Sequence, residues 1–226
     1  MAAHFSPRLF RFLRELAVNN DRAWFHENKE RFDRDVKLPL MGFISDFAPR
    51  LKKISAHFVA DPDPRHGSMF RIHRDTRFSK DKSPYKTHAS AHFRHGIGKD
   101  VHGPGFYLHL EPKSVFIGVG IWHPAAPTLL KLRTHLVEAP GEWAKALKHK
   151  PFQGYALRGE SLKRPPKGFD KDHPLVTDLC RKDFIAVLKF RETDATSAEF
   201  LSQYAERAKA AVPFMRFLSN ALELPF

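Results

Sequence analysis

The sequence predicts a single α+β domain over residues 1–226, a mainly antiparallel sheet flanked by N-terminal, middle and C-terminal helices. Three observations predict it. Apolar residues fall at helical spacing towards both ends of the chain, whereas the middle switches to short, aromatic or β-branched, partly alternating runs. The connections between those runs are short, which favours antiparallel neighbours over parallel crossovers.

Taken in order, Phe5, Leu9, Phe12, Leu13 and Leu16 share one helical face behind the start signal Ser6-Pro7, giving a helix from about Pro7 to Val18 that stops at Asn19-Asn20. This stretch is Arg-rich and poor in acids, as transit peptides are, but its apolar spacing reads as a docked helix. "DRAWFHENKERFDRDVKLPLMGFISDFAPRLKKI" continues as one or two helices, with Asp21 as N-cap and a break near Pro39. Trp24 and Phe25 belong to the core. "DPDPRHG" is a turn, and "SMFRIH", "THASAHF", "GFYLHLE" and "SVFIGVGIW" read as strands. Pro124 and Pro127 open a helix through Leu136, and "GEWAKALKH" forms a shorter one. "GYALRGESLKRPPKGFDKDHP" is a long polar segment whose end, Asp172 followed by Pro174, starts a helix carrying Leu175, Leu179 and Cys180. "FIAVLKF" is a last strand, and "TSAEFLSQYAERAKAAVPFMRFLSNAL" a C-terminal helix bent at Pro213.

Composition sets the outer limits. With 226 residues, 42% of them hydrophobic and 28% charged, the chain can bury one sizeable core, rich in its 21 phenylalanines. A formal charge of +13 favours anionic metabolites or polyanions as partners. Cys180 stands alone, which excludes an intrachain disulfide and suits a reducing, cytoplasmic setting. No apolar run reaches the length of a membrane span, so no membrane partner is expected.

The densest chemistry lies in "RDTRFSKDKSPYK", where Arg74, Arg77, Lys80, Lys82 and Lys86 outnumber Asp75 and Asp81. Arginine forks and lysine point charges suit phosphate, sulfate or carboxylate. Arg71, Ser79 and Tyr85 join this candidate ligand site, and the two aspartates either hold the cations or move a proton. His73-Arg74-Asp75 spells a kinase catalytic tripeptide, but Lys80 stands where the metal-binding Asn belongs and no Gly-rich loop or DFG exists. His88, His92 and His95 have helical metal spacing; on a strand, however, His95 faces away from the other two, and no metal site is assigned. His109 and Glu111, two apart, share a strand face with Leu108 and Leu110 on the other side. Such a pair is a tuned acid/base couple, two ligands of a metal site, or a hydrogen bond on a solvated face. In "RGESLKRPPKGFDKDHP", Lys163, Lys167 and His173 supply further ligand-binding candidates on a pocket wall, and a helix starting near Pro174 would turn N–H groups towards an anion.

"NNDRAWF", "FRIHRDTRFSKDKSPYKTH", "FYLHLEP", "GVGIW" and "LKRPPKGFDKDHP" stand here in the order and spacing of a known family. The chain resembles the family catalogued as domain of unknown function 2461 (DUF2461), found in bacteria and fungi, from Phe5 to the C-terminal helix. The resemblance implies one α+β domain and marks these segments as the family's hallmark, and it implies no activity. His88 stands where relatives can carry Asn, and His92, His95 and His123 lie outside the pattern. The expectation is therefore an anionic small-molecule ligand, phosphorylated or carboxylated, held by the charged loop, with Asp75, Asp81, His109 and Glu111 orienting the cations or moving protons. Two alternatives stand beside it: a nonspecific nucleic-acid-binding surface with Phe78 or Tyr85 stacking on a base, and an internal ion-pair network in a protein-interaction domain. Cofactor and oligomeric state stay unknown at this level.

Overall fold

Ser6 caps the first helix by accepting a hydrogen bond from the Arg8 N–H at 3.3 Å. The computed structural model describes residues 2–97 and 103–226. Helix α1 (Pro7–Val18) buries Leu9, Phe10, Phe12, Leu13 and Leu16 along one stripe. Asp21 caps α2 (Arg22–Glu27), its carboxylate accepting from the Trp24 N–H, and Phe25 enters the core. Next come α3 (Lys29–Phe32), a π-helical turn (Asp33–Lys37) and α4 (Leu38–Ile54), which run on without a gap. The expected break at Pro39 does not occur. Pro39 sits in the first turn of α4, where a missing N–H removes least, and the wider turn just before it makes room for the ring.

Strands β1 (Ala89–Arg94), β2 (Gly105–Glu111) and β3 (Ser114–Ile121) form a meander, followed by α5 (Ala126–Glu138) and α6 (Pro140–Lys148). A short β4 (Ala156–Arg158), α7 (Val176–Leu179), β5 (Phe184–Phe190) and α8 (Glu192–Ala195) lead to α9 (Phe200–Ala210) and α10 (Val212–Ala221). All pairings are antiparallel, in the order β1-β2-β3-β5-β4. The α+β expectation holds. "SMFRIH" differs: it makes only isolated bridges, Met69 to Ala91 on the edge of β1 and His73 to Tyr85 at the base of the charged loop. β4 was hidden in the long polar segment because three residues, two half-buried and Arg158 exposed, carry no usable periodicity. The helix expected from Pro174 shrinks to four residues, as Leu175 rather than Asp172 occupies the N-cap.

One sheet face is covered. α1 packs on β2, α4 on β1, and α8, α9 and α10 on β3. Ala91, Phe93, Leu108, Leu110, Ile117 and Ile121 point into this layer and are fully buried. Phe43, Phe47, Phe93, Phe200 and Tyr204 form one continuous aromatic cluster there, with ring centroids about 5–6 Å apart. Among the described residues, no helix is long and apolar enough to cross a membrane.

Candidate functional site

The other sheet face is left open. Register sets its side chains in rows: Arg94, Gly105, Gly120 and Ile185; then His92, Tyr107, Gly118 and Val187; then Ser90, His109, Phe116 and Lys189. Gly118 leaves the middle of this face open, while the His92 ring lies over Gly105 and the β5 backbone lies close to Gly120. The result is a cavity of about 480 Å³, with Phe70, Lys86 and His88 on one side and Trp122, Ile185 and Val187 on the other. Its lining is mostly apolar, and its polar groups gather towards β1 and β2.

Those polar groups form a connected chain. The Tyr107 hydroxyl donates to His109 Nδ1 at 3.0 Å, and His109 Nε2–H donates to Glu111 Oε2 at 3.2 Å. Thr87 Oγ1 donates to the other carboxylate oxygen, Glu111 Oε1, at 3.1 Å. His109 stacks on Phe116, with centroids 4.5 Å apart. His88, one residue before β1, continues the register to lie opposite Glu111, and its ring is 4.5 Å from that of His109. Burial pushes the His88 imidazole down to about 4, and also lowers His109, against the pull of Glu111. Burial raises the Tyr107 phenol. Both imidazoles are therefore neutral at physiological pH. A neutral His109 between a carboxylate and a phenol can take the Tyr107 proton while Glu111 steadies the imidazolium that results.

The charged loop lies apart from this cavity in all but its last cation. Residues 72–74 and 84–86 zip together, with the Arg74 N–H donating to the Pro84 carbonyl and the Lys86 N–H to Ile72. Residues 75–83 form the tip. There Arg74 pairs with Asp81, Arg77 with Asp75 at 2.7 Å, and Lys82 Nζ donates to the Thr76 carbonyl at 2.9 Å. Arg77 holds the Asp75 carboxyl down to about 2, and hydrogen bonds from Ser83, then Arg74, hold Asp81 still lower. Arg71, Arg77, Lys80 and Lys82 are exposed, and the Ser79 N–H turns back to the Thr76 carbonyl. These pairs are solvent-accessible rather than a buried network. Phe78, at the tip, is 95% exposed.

At the base of the loop, Tyr85 is buried and serves the scaffold. Its backbone N–H and C=O both bond the Asn20 side chain at 3.0 Å, and its ring stacks on Phe25 at 4.0 Å. Lys86, next in sequence, is half-buried, faces the cavity and lies 5.1 Å from the Phe70 ring centroid. Lys163 and Lys167 are exposed, and His173 Nδ1 accepts from the Leu175 N–H at 3.1 Å; none of the three lines the cavity. With α7 only four residues long, there is no helix N-terminus to bind an anion beside them.

Of the residues singled out from the sequence, the structure thus gathers Lys86, His109 and Glu111 at the open sheet face. His92 faces the cavity, whereas His95 turns away and donates from Nε2 to the Pro225 carbonyl at 2.8 Å. Thr87, His88, Ser90 and Tyr107 were missed as site residues. The available signal was the alternation Lys86-His88-Ser90-His92 against Tyr107-His109-Glu111, which becomes a site only once the β1–β2 register is known. The sequence model of the family described as "Conserved hypothetical protein (DUF2461)" matches residues 8–217. No curated protein and no solved structure matches the chain.

Proposed function

From a chain that belongs to the DUF2461 family, whose description names no chemistry, we propose a protein that binds a small molecule with a flat apolar body and an anionic group in the open-face cavity. The observation that carries this reading is Lys86. It is half-buried in the wall of a mostly apolar cavity, and no carboxylate pairs with it among the described residues. Burial lowers its pKa, so part of its hydration is already lost, and an arriving anion meets a charge that water screens poorly. The cavity volume of about 480 Å³ falls within the usual range for small-molecule sites. Gly118 and Phe116 offer a flat floor for a ring, and Tyr107, Ser90 and His92 offer hydroxyl and imidazole groups that fix its orientation. The loop tip plays no part in this site.

The test is calorimetric titration with 2-naphthoate and phenyl phosphate on wild type, Lys86→Met, Gly118→Val and Arg77→Ala. Binding that Lys86→Met and Gly118→Val abolish and Arg77→Ala leaves intact supports the reading. Binding lost only in Arg77→Ala would return the site to the loop.

A second reading rests on Phe78. An aromatic ring left exposed between Arg77 and Lys80, on a chain of net charge +13, is the arrangement that stacks on unpaired bases. Fluorescence anisotropy with labelled single-stranded RNA at two salt concentrations tests it. Weak binding that falls steeply with salt and loses a further several-fold in Phe78→Ala favours a polyanion contact at this tip.

A further inference from the structure

We propose that His88, His109 and Glu111 form a binding site for a divalent transition-metal ion, with open coordination positions facing the cavity. One donor atom from each of the three residues lies within 4.8 Å of the other two, the one such group among the described residues. Two imidazoles and one carboxylate are the donor set of zinc hydrolases and of non-haem iron sites, and nitrogen donors disfavour magnesium and calcium.

Three features separate this cluster from a chance meeting of polar groups. His109 and Glu111 stand two apart on β2, and His88, one residue before the paired β1, lies opposite Glu111, so the backbone sets their spacing. Donors around an ion bound at about 2.0–2.1 Å sit roughly 3.4 Å apart, and His109 Nε2 and Glu111 Oε2 are already 3.2 Å apart. His88 has no side-chain hydrogen-bond partner among the described residues, and a ring nitrogen of it already lies within 4.8 Å of the other two donor atoms. The outer partners are also in place. Thr87 orients the second oxygen of Glu111, and the Tyr107 hydroxyl sits at His109 Nδ1, where it can accept the ring N–H once Nε2 binds metal. Such outer contacts orient metal ligands and sharpen affinity. Among the described residues, all other carboxylates lie outside this cluster, so Glu111 alone offsets the ion's charge. That leaves a positive centre beside Lys86, open to an anionic ligand, but the metal site stands whether or not such a ligand binds.

The probe is the metal alone. Chelator-stripped protein is titrated with Zn²⁺ and Co²⁺ by calorimetry, and the zinc-loaded protein is examined by X-ray absorption. One ion per chain is expected, with two imidazole nitrogens in the first coordination sphere. Affinity should fall at least 100-fold in His88→Asn and Glu111→Gln and about 10-fold in Thr87→Val, and stay unchanged in the surface control His66→Asn. Thermal melts of each variant without metal separate ligand loss from misfolding. If a variant does not fold, the absorption spectrum of wild type decides. A spectrum without imidazole nitrogen, no bound ion, or equal affinity in wild type, His88→Asn and Glu111→Gln overturns the assignment.

Discussion

Two glycines two residues apart on β3 should respond to side chains in opposite ways. Gly118 and Gly120 both face the cavity. A Cβ built on Gly118 would rest 3.6 Å from Tyr107 Cβ, an ordinary contact. A Cβ on Gly120 would lie 2.0 Å from the Phe184 carbonyl oxygen, on a backbone whose φ is +118°. That conformation costs an L-residue about 1–3 kcal/mol. Relieving the clash also pushes β3 from β5 and weakens one or two ladder hydrogen bonds, at about 1 kcal/mol each. Gly120→Ala should therefore lose about 2–4 kcal/mol, and at ~2–4 °C per kcal/mol for a chain this long its Tm should fall by roughly 5–15 °C. Gly118→Val relieves the entropy cost of a strand glycine and adds a β-branched residue, so its stability should stay within about 1 kcal/mol of wild type, or rise. Its methyl groups nonetheless fill the cavity floor. Thermal and urea denaturation read the stabilities, and titration with 2-naphthoate reads the cavity. If Gly118→Val melts as low as Gly120→Ala, or binds the aromatic acid as well as wild type, the account of the open face is wrong.

Three further outcomes follow from particular contacts. Asp183 is buried and accepts the backbone N–H groups of His123 and Glu160, both at 2.8 Å. Asp183→Ala strands both and should cost about 3–5 kcal/mol in urea denaturation; a loss below ~1 kcal/mol would show that water replaces the carboxylate. Asn20→Ala removes both bonds to the Tyr85 backbone and should cost about 1–3 kcal/mol, with faster amide exchange at residues 72–86, whereas uniform exchange would show no local clamp. Burial, assisted by Arg94, holds His92 down to about 4, facing Phe70 and Tyr107. Because the folded value lies below the unfolded 6.5, His92 contributes its stability above pH 6.5 and loses it as pH falls towards 4. Its full contribution is roughly 3 kcal/mol, so wild type should lose more stability than His92→Gln between pH 7 and 4.5, and parallel titrations would discard the burial argument.

The helices and most strands were legible because each carries a complete local signal. Ser6-Pro7 and Asp21 mark helix starts, and the alternation in Tyr107-His109-Glu111 puts those three side chains on one face. The cavity was not legible, because it is made of what is missing. Gly105, Gly118 and Gly120 come together in the cavity lining only when the β2–β3 register sets 105 against 120 and 118 against Tyr107. His88 was set aside for the same reason: read beside His92 and His95 it looks like a failed metal triad, and only the pairing of β1 with β2 brings it to His109 and Glu111. The charged loop shows the opposite case: its composition is conspicuous in the sequence, whereas the pairing of its arginines with its own aspartates is seen only in the structure.

That contrast divides the family's longest motif into parts with different physical duties. Its last residues form scaffold and cavity wall. Asn20, from "NNDRAWF", bonds both backbone groups of Tyr85 as a neighbouring strand would, and Phe25 of the same segment stacks on the Tyr85 ring. Two sequence-distant hallmarks are thus one contact, and its effect is to fix the direction in which the chain leaves Tyr85. The next residues are Lys86, Thr87 and His88, which meet the cavity, Glu111 and His109 in turn. A loop anchored this firmly at its base can carry an exposed tip without disturbing the site. The tip's ion pairs hold its shape against solvent, and Phe78 and Lys80 are exposed there, whereas Lys86 and His88 line the cavity on the sheet.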